Sequence, residues 1–293
     1  MILVHFDPAG GRRITDLQNI YWQRTAMLVG GAPSLREQPI EMLNKRGVLT
    51  MAMNNAAVHF QPTLWSSGDL PECYEPQILL DPKIIKFAPM VHAEYQLLGR
   101  KYRQMPNIYF YMQEGNVPWD EFLANRPAVP WYNNTLFVSL HILYQLGIRR
   151  IILAGSDFGF AKPDDSKYDK QSGDMYAHKT DLGSLERKWN LDLYNSQVRE
   201  LRMLKPVFDR YELVLMDSSK NSRIKQVYEH ITLEKAIKLC LEDFPKHSVD
   251  PATLPHCSKF APIPIQKSIA EWPGHQLVGP GPQSEEAQIQ AVV

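Results

Sequence analysis

The chemistry-bearing residues of this chain stand in short polar clusters, each at the end of an apolar run. The clearest is MLVGGAPSLR, Met27 to Arg36. There Gly30 and Gly31 free the backbone of side-chain sterics, and Pro33 can open a helical turn. A strand that turns tightly into a helix aims free N–H groups and the positive helix end at one spot, which is a place for a phosphate. Four further clusters repeat the pattern: Asn54–Asn55, Ser66–Asp69, Gly155–Asp157 and Asp217–Asn221. In an open α/β sheet, ligands bind outside the carboxyl ends of the strands, so polar ends that converge there would build one crevice.

Several chemistries are excluded. VGGAPS departs from G-x-G-x-x-G, and asparagines stand where an acid should end the second strand, so NAD fits poorly. The chain has no G-x-x-x-x-G-K-[ST], no G-x-S-x-G and no H-E-x-x-H, which removes P-loop ATPases, α/β-hydrolases and zincin-type proteases. Cys73, Cys240 and Cys257 are widely spaced without a C-x-x-C, so neither a disulfide framework nor a zinc site follows and a reducing cytoplasm is expected. Lys plus Arg equals Asp plus Glu at 32 each, so the whole-molecule field does not steer towards polyanions. The N-terminus lacks the pattern of a signal peptide, and no run approaches the ~18 apolar residues of a membrane helix.

The elements that must position these clusters alternate along the chain. Residues 1–24 read as an irregular lead-in, 25–244 as a Rossmann-like nucleotide-binding catalytic domain, and 245–293 as an extended or disordered tail rich in Pro, Gly, Gln and Ser. Strands are expected at Thr25–Val29, Gly47–Asn55, Pro62–Asp69, Lys83–Met90, Asn107–Gln113, Ile151–Ala154 and within Tyr211–Ser222. Helices are expected at Leu35–Lys45, His92–Gln104, Asn133–Gly147, Ser184–Arg210 and Leu233–Glu242. The alternation argues for an α/β fold, a mostly parallel sheet flanked by helices. Gly159–Leu182 is too long and polar for a simple connection and is expected to be a lid loop. His141 falls on an apolar helix face and reads as a core histidine; Trp131, beside Asn133–Thr135, could stack on a sugar or base.

In order, VGGAPSL, MNN, LGIRRIILAGSDFGF and a loop carrying YAHKTD resemble a bacterial glycosyltransferase superfamily over about Met27 to Arg223. It includes the lipooligosaccharide sialyltransferases, the Maf-type flagellin glycosyltransferases and, in a related branch, the archaeal 6-hydroxymethylpterin diphosphokinases. The resemblance implies a nucleotide-activated sugar as donor. Gly30, Gly31, Ser34 and Asn54 or Asn55 would hold the nucleotide, with Asp157 and Phe158 beside its ribose or base and Ser218 and Ser219 near its phosphates. His178 would be the general base that deprotonates the acceptor hydroxyl, a role suited to an imidazole whose pKa is about 6.5. Tyr168 and Tyr176 would donate hydrogen bonds to the leaving phosphate. The acceptor hydroxyl would belong to a glycan, a protein, a small molecule or a hydroxymethylated DNA base.

There are departures from that pattern. The family's T-S-G, which receives a sialic acid carboxylate, falls on Asn134-Thr135-Leu136, and the loss of its glycine points away from sialic acid as donor. Asp69 resembles the strand-end aspartate of the Maf and diphosphokinase branches and, with Asp157, would bind Mg²⁺ alongside phosphates. Two other functions compete: a Mg²⁺-dependent diphosphokinase acting on a small alcohol, and a non-catalytic nucleotide-binding module. Read without the resemblance, Gly30–Ser34 equally makes a tight connection, Asn54–Asn55 a turn and helix cap, and Asp157 a turn cap.

Overall fold

The computed structural model of the protein describes residues 1–7, 9–159 and 184–243. Its main sheet has ten strands: β1 (Leu3–Phe6), β2 (Arg12–Thr15), β3 (Thr25–Val29), β4 (Leu49–Met53), β5 (Leu64–Ser66), β6 (Ile85–Pro89), β7 (Ile108–Tyr111), β8 (Arg150–Ala154), β9 (Val214–Asp217) and β10 (Glu229–His230). They lie in the order β10-β9-β8-β3-β4-β5-β6-β7-β1-β2. The eight strands from β10 to β7 run parallel, and β1 and β2 continue the sheet antiparallel beyond β7. Helices α1 (Pro76–Leu80), α2 (Thr135–Gln145), α3 (Ser184–Arg210) and α4 (Leu233–Glu242) accompany the sheet.

The near-continuous apolar strands are explained by two core layers. Along β3, Ala26 and Leu28 pack into one layer and Met27 and Val29 into the other, because successive side chains of a strand point to opposite faces. The layer with Leu28 also holds Leu136, Leu140 and Leu143 of α2 and Leu201 and Leu204 of α3; the other takes Ile237 of α4 and Ile78 of α1. Both faces are therefore covered, as a parallel sheet requires. Each fully buried aliphatic side chain contributes about 1.5–3 kcal/mol by leaving water.

Three expectations about the elements need correction. Residues 1–24 are not irregular, since Leu3 to Phe6 pair antiparallel with Arg12 to Thr15 and with β7. The stretch Leu35–Lys45 forms two 3-10 turns, Pro33–Glu37 and Ile40–Asn44, instead of a helix. Pro39 between them has no N–H to donate and its ring clashes with a preceding carbonyl in an α-helix. His92–Gln104 is not helical either: Gln96–Leu97 pairs with Arg100–Lys101 in a hairpin. Leu98 and Gly99 both take positive φ, +56° and +74°, as a two-residue hairpin turn demands. The expected lid beyond Gly159, the tail, and with them Tyr168, Tyr176 and His178, lie outside the described residues.

Candidate functional site

Strand order reverses between β3 and β8. From β3 the chain proceeds outward through β4 to β7, then returns to place β8 on the other side of β3. Connections leaving the two strands diverge, and such switch points are where α/β sheets open a crevice. The register pairs Ala154 with Val29, so Gly30 and Gly155 leave the sheet side by side. The Gly30 N–H donates to the Ala154 carbonyl at 2.8 Å, and the Ala32 N–H to the Gly155 carbonyl at 2.9 Å. A Cβ on Gly30 would lie 2.5 Å from the Gly155 carbonyl oxygen, so this approach of two backbones requires glycine.

A cavity of about 220 Å³ opens over this point. Of the residues expected at the site, Gly30, Gly31, Asn54, Asn55, Asp157 and Phe158 line it. Asp69 from the end of β5, and Asn134 and Thr135 from the start of α2, line it as well. Strand ends far apart in sequence thus meet as expected. The cavity also takes Met53 and Ser156 from the MNN and Gly155–Asp157 segments, and residues that sequence reasoning did not single out, Leu193, Tyr194 and Gln197 from one side of α3. The i, i+4 spacing of Leu193 and Gln197 is the signal that marks that face. Trp131 completes the wall, packed over Gly68 so closely that a Cβ there would run into its ring.

Hydrogen bonding separates the lining atoms that are occupied from those that are not. Asp157 is tied down, its Oδ1 accepting from the Ser34 hydroxyl and its Oδ2 from the Ser34 N–H at 3.1 Å. The turn at Pro33–Glu37 therefore already has an anion at its N-terminal end, supplied by the chain itself, and Ser34 is wholly buried beneath the cavity. Burial raises the Asp157 pKa above the ordinary carboxylate range, with the Ser34 hydrogen bonds opposing. Asn55 is also occupied: its amide donates to the Cys73 carbonyl and accepts from the Glu75 N–H, both at 3.0 Å. Ser218 and Ser219 do not line the cavity. The Ser218 hydroxyl donates to the Leu153 carbonyl at 2.8 Å, and the Ser219 hydroxyl accepts the Ser156 N–H at 2.9 Å, so both brace the sheet end from below.

Two lining side chains keep unused capacity. Asn134 caps α2, its Oδ1 accepting the Leu136 N–H at 2.9 Å, while its Nδ2 is buried with no hydrogen-bond partner among the described residues. Asn54 uses its backbone carbonyl to accept the Trp65 indole N–H at 2.7 Å, and its Oδ1 is likewise buried and unpartnered among the described residues. Leaving such a group unpaired costs about 1–3 kcal/mol. Three lining residues, Asn54, Asn133 and Phe158, also hold positive φ between +50° and +56°. Asparagine tolerates that region; a phenylalanine there is strained, and the Arg223 guanidinium holds it by donating to the Phe158 carbonyl at 2.9 Å.

Asp69 stands exposed at the rim, where the walls beside it raise its pKa by desolvation and His92 opposes the shift. Asp69 and Asp157, the pair expected to bind Mg²⁺, both line the cavity, and Ser34 occupies one acceptor position on each oxygen of Asp157. Among the described residues, no group of three or more His, Cys, Asp or Glu is placed to hold a metal ion. Among them also, no Lys, Arg or His lines the cavity. No described helix is long and apolar enough to cross a membrane.

No protein-family model matches the chain, and no curated protein does either. Two solved structures are similar to it, and both are sialyltransferases. CstII from Campylobacter jejuni, in complex with the substrate analogue cytidine-5'-monophosphate, is 14% identical with a TM-score of 0.39, over 71% of this chain and 84% of CstII. A mammalian sialyltransferase is 12% identical with a TM-score of 0.35, over 69% of this chain and 70% of that one.

Proposed function

We propose that the protein is a glycosyltransferase that binds a nucleotide-activated sugar at the β3–β8 switch point and transfers the sugar to an acceptor hydroxyl. The observation that carries the reading is that two residues lining one cavity, Asn54 and Asn134, each hold a buried amide atom, Oδ1 and Nδ2, with no hydrogen-bond partner among the described residues. An unused acceptor and an unused donor suit a ligand that supplies both, as the hydroxyls and base edges of a nucleoside or sugar do. Trp131 and Tyr194 add ring surfaces to the same wall.

The electrostatics favour this over a diphosphokinase. A triphosphate calls for cations or free N–H groups, whereas the described lining offers amides, aromatics and two aspartates, and Asp157 already fills the turn that would have cradled a phosphate. In the proposed reaction His178 takes the proton of the acceptor hydroxyl. The acceptor oxygen forms its bond to the anomeric carbon as the bond to the nucleotide phosphate breaks, with inversion. Tyr168 and Tyr176 donate to the departing phosphate oxygens, and Asp157 holds the glycine turn against which the nucleotide rests.

The test is a thermal-shift screen against CMP, UDP, GDP, ADP and ATP, with and without Mg²⁺. A ligand at a hundred times its Kd adds about 2.7 kcal/mol of stability. Stabilisation by CMP, UDP or GDP supports the transferase and names the donor nucleotide; stabilisation only by ATP with Mg²⁺ replaces it with the diphosphokinase. His178→Ala should then lower turnover about 10²–10⁴-fold while leaving nucleotide affinity unchanged. Nucleotide binding with no turnover of any sugar donor would leave the non-catalytic module.

A further inference from the structure

The turn from Gly155 to Phe158 lines the cavity in a backbone that needs outside support, with φ of +57° at Gly155 and +56° at Phe158. One flank is held by Ser34 on Asp157 and by Arg223 on the Phe158 carbonyl. The other flank is held by a chain of hydrogen bonds leading away from the cavity. The Ser156 N–H donates to Ser219 Oγ at 2.9 Å, the Ser219 N–H donates to Asp217 Oδ1 at 3.1 Å, and His230 Nδ1 meets Asp217 Oδ2 at 3.0 Å. Asp217 and Ser219 are wholly buried, while the His230 side chain is 34% exposed at the margin of the sheet. An imidazole open to solvent is thereby joined through a buried carboxylate to the backbone of a lining residue.

We propose that Asp217 is a positioning residue for the cavity, fixing the Ser156 backbone through Ser219, and that His230 is the partner that keeps Asp217 ionised. An ionised carboxylate accepts from Ser219 and His230 together through charge-assisted hydrogen bonds; protonation removes that charge and weakens the bond from the Ser219 N–H. The titratable groups that face Asp217 are His230 from β10 and Asp157 from the turn after β8. Burial favours the neutral acid at Asp217, and the His230 and Ser219 hydrogen bonds oppose it; the Asp217 charge in turn raises the pKa of Asp157. Without His230, protonation of Asp217 should therefore begin at a higher pH.

The proposal rests on the cavity being the ligand site, but the hydrogen-bond chain is read without any ligand. Amide hydrogen exchange in the full-length protein reports the protection factor of the Ser156 N–H as a function of pH. Ser219→Ala should lower that protection about five- to tenfold and leave Ile152 in β8 unchanged. Wild-type protection should fall on acidification; His230→Ala should move that fall to higher pH, and Asp217→Asn should remove the pH dependence. Affinity for whichever of CMP, UDP or GDP stabilises the protein should weaken over the same pH range. Unchanged Ser156 protection in Ser219→Ala, or the same acid midpoint in His230→Ala as in wild type, would overturn the proposal. Should Asp217→Asn not fold, the other two variants decide it. If exchange behaves as expected and none of the nucleotides binds, the glycosyltransferase reading fails and the positioning role stands.

Discussion

Replacing Asn134 separately by serine and by alanine divides its two jobs. Its Oδ1 caps α2 by accepting the Leu136 N–H, and its Nδ2 is a buried donor with no partner among the described residues, on a residue that lines the cavity. Serine keeps a capping oxygen and removes the amide N–H₂; alanine removes both. Loss of a cap costs about 1 kcal/mol, which for a folded body of this size lowers Tm by roughly 2–4 °C. Asn134→Ala should show that loss, and Asn134→Ser should stay within a few tenths of a kcal/mol of wild type. Loss of one neutral hydrogen bond to ligand is about 0.5–1.5 kcal/mol, or about two- to twelvefold in Kd, and both variants should show it equally. The assay pairs thermal melts with calorimetric titration by the nucleotide found in the screen. Wild-type affinity in Asn134→Ser would refute the reasoning, because the amide nitrogen would then have no role in binding. A Tm loss in the serine variant equal to that in alanine would refute the capping assignment instead.

Gly68→Ala should weaken ligand binding and change tryptophan emission, because its Cβ would drive the Trp131 ring off the wall; binding and emission like wild type would mean that the ring is not part of the site. Gly30→Ala should cost about 1–3 kcal/mol by forcing β3 and β8 apart at the switch point, measured by urea unfolding. His141 is fully buried, its Nδ1 bonded to the Phe122 carbonyl and its Nε2 unpartnered among the described residues, and desolvation pushes its pKa down to about 4 from 6.5. Its folded pKa is depressed, so the unfolded chain binds the proton first: this contribution is complete above about pH 6.5 and is lost as pH falls towards 4. The integrated effect is about 3 kcal/mol. Urea unfolding of wild type and His141→Gln between pH 4 and 7 should show a steep dependence in the first and a flatter one in the second.

Some of this architecture was legible because it depends on information that is local in the chain. Thr25–Val29 reads as a strand since every residue is buried between two layers, and Ser184–Arg210 and Leu233–Glu242 read as helices from their spacing. Local reading failed where one residue changed the backbone rule, at Pro39 and at the Leu98–Gly99 turn, and at Leu3–Phe6, whose partners lie in β2 and the more distant β7.

At the cavity, composition and position identified which strand ends would meet. Residue type alone did not distinguish a polar atom free for a ligand from one already spoken for. Ser34, Asn55, Ser218 and Ser219 have the chemistry of ligand contacts, yet each is bound to backbone or side chain within the fold. Asn54 and Asn134, of the same type, each keep one buried atom without a partner among the described residues. That difference is decided by partners remote in the chain, such as Asp157 lying 123 residues beyond Ser34. Side-chain periodicity is written in neighbouring residues, whereas hydrogen-bond satisfaction belongs to atoms that only the folded sheet brings within 3 Å of each other.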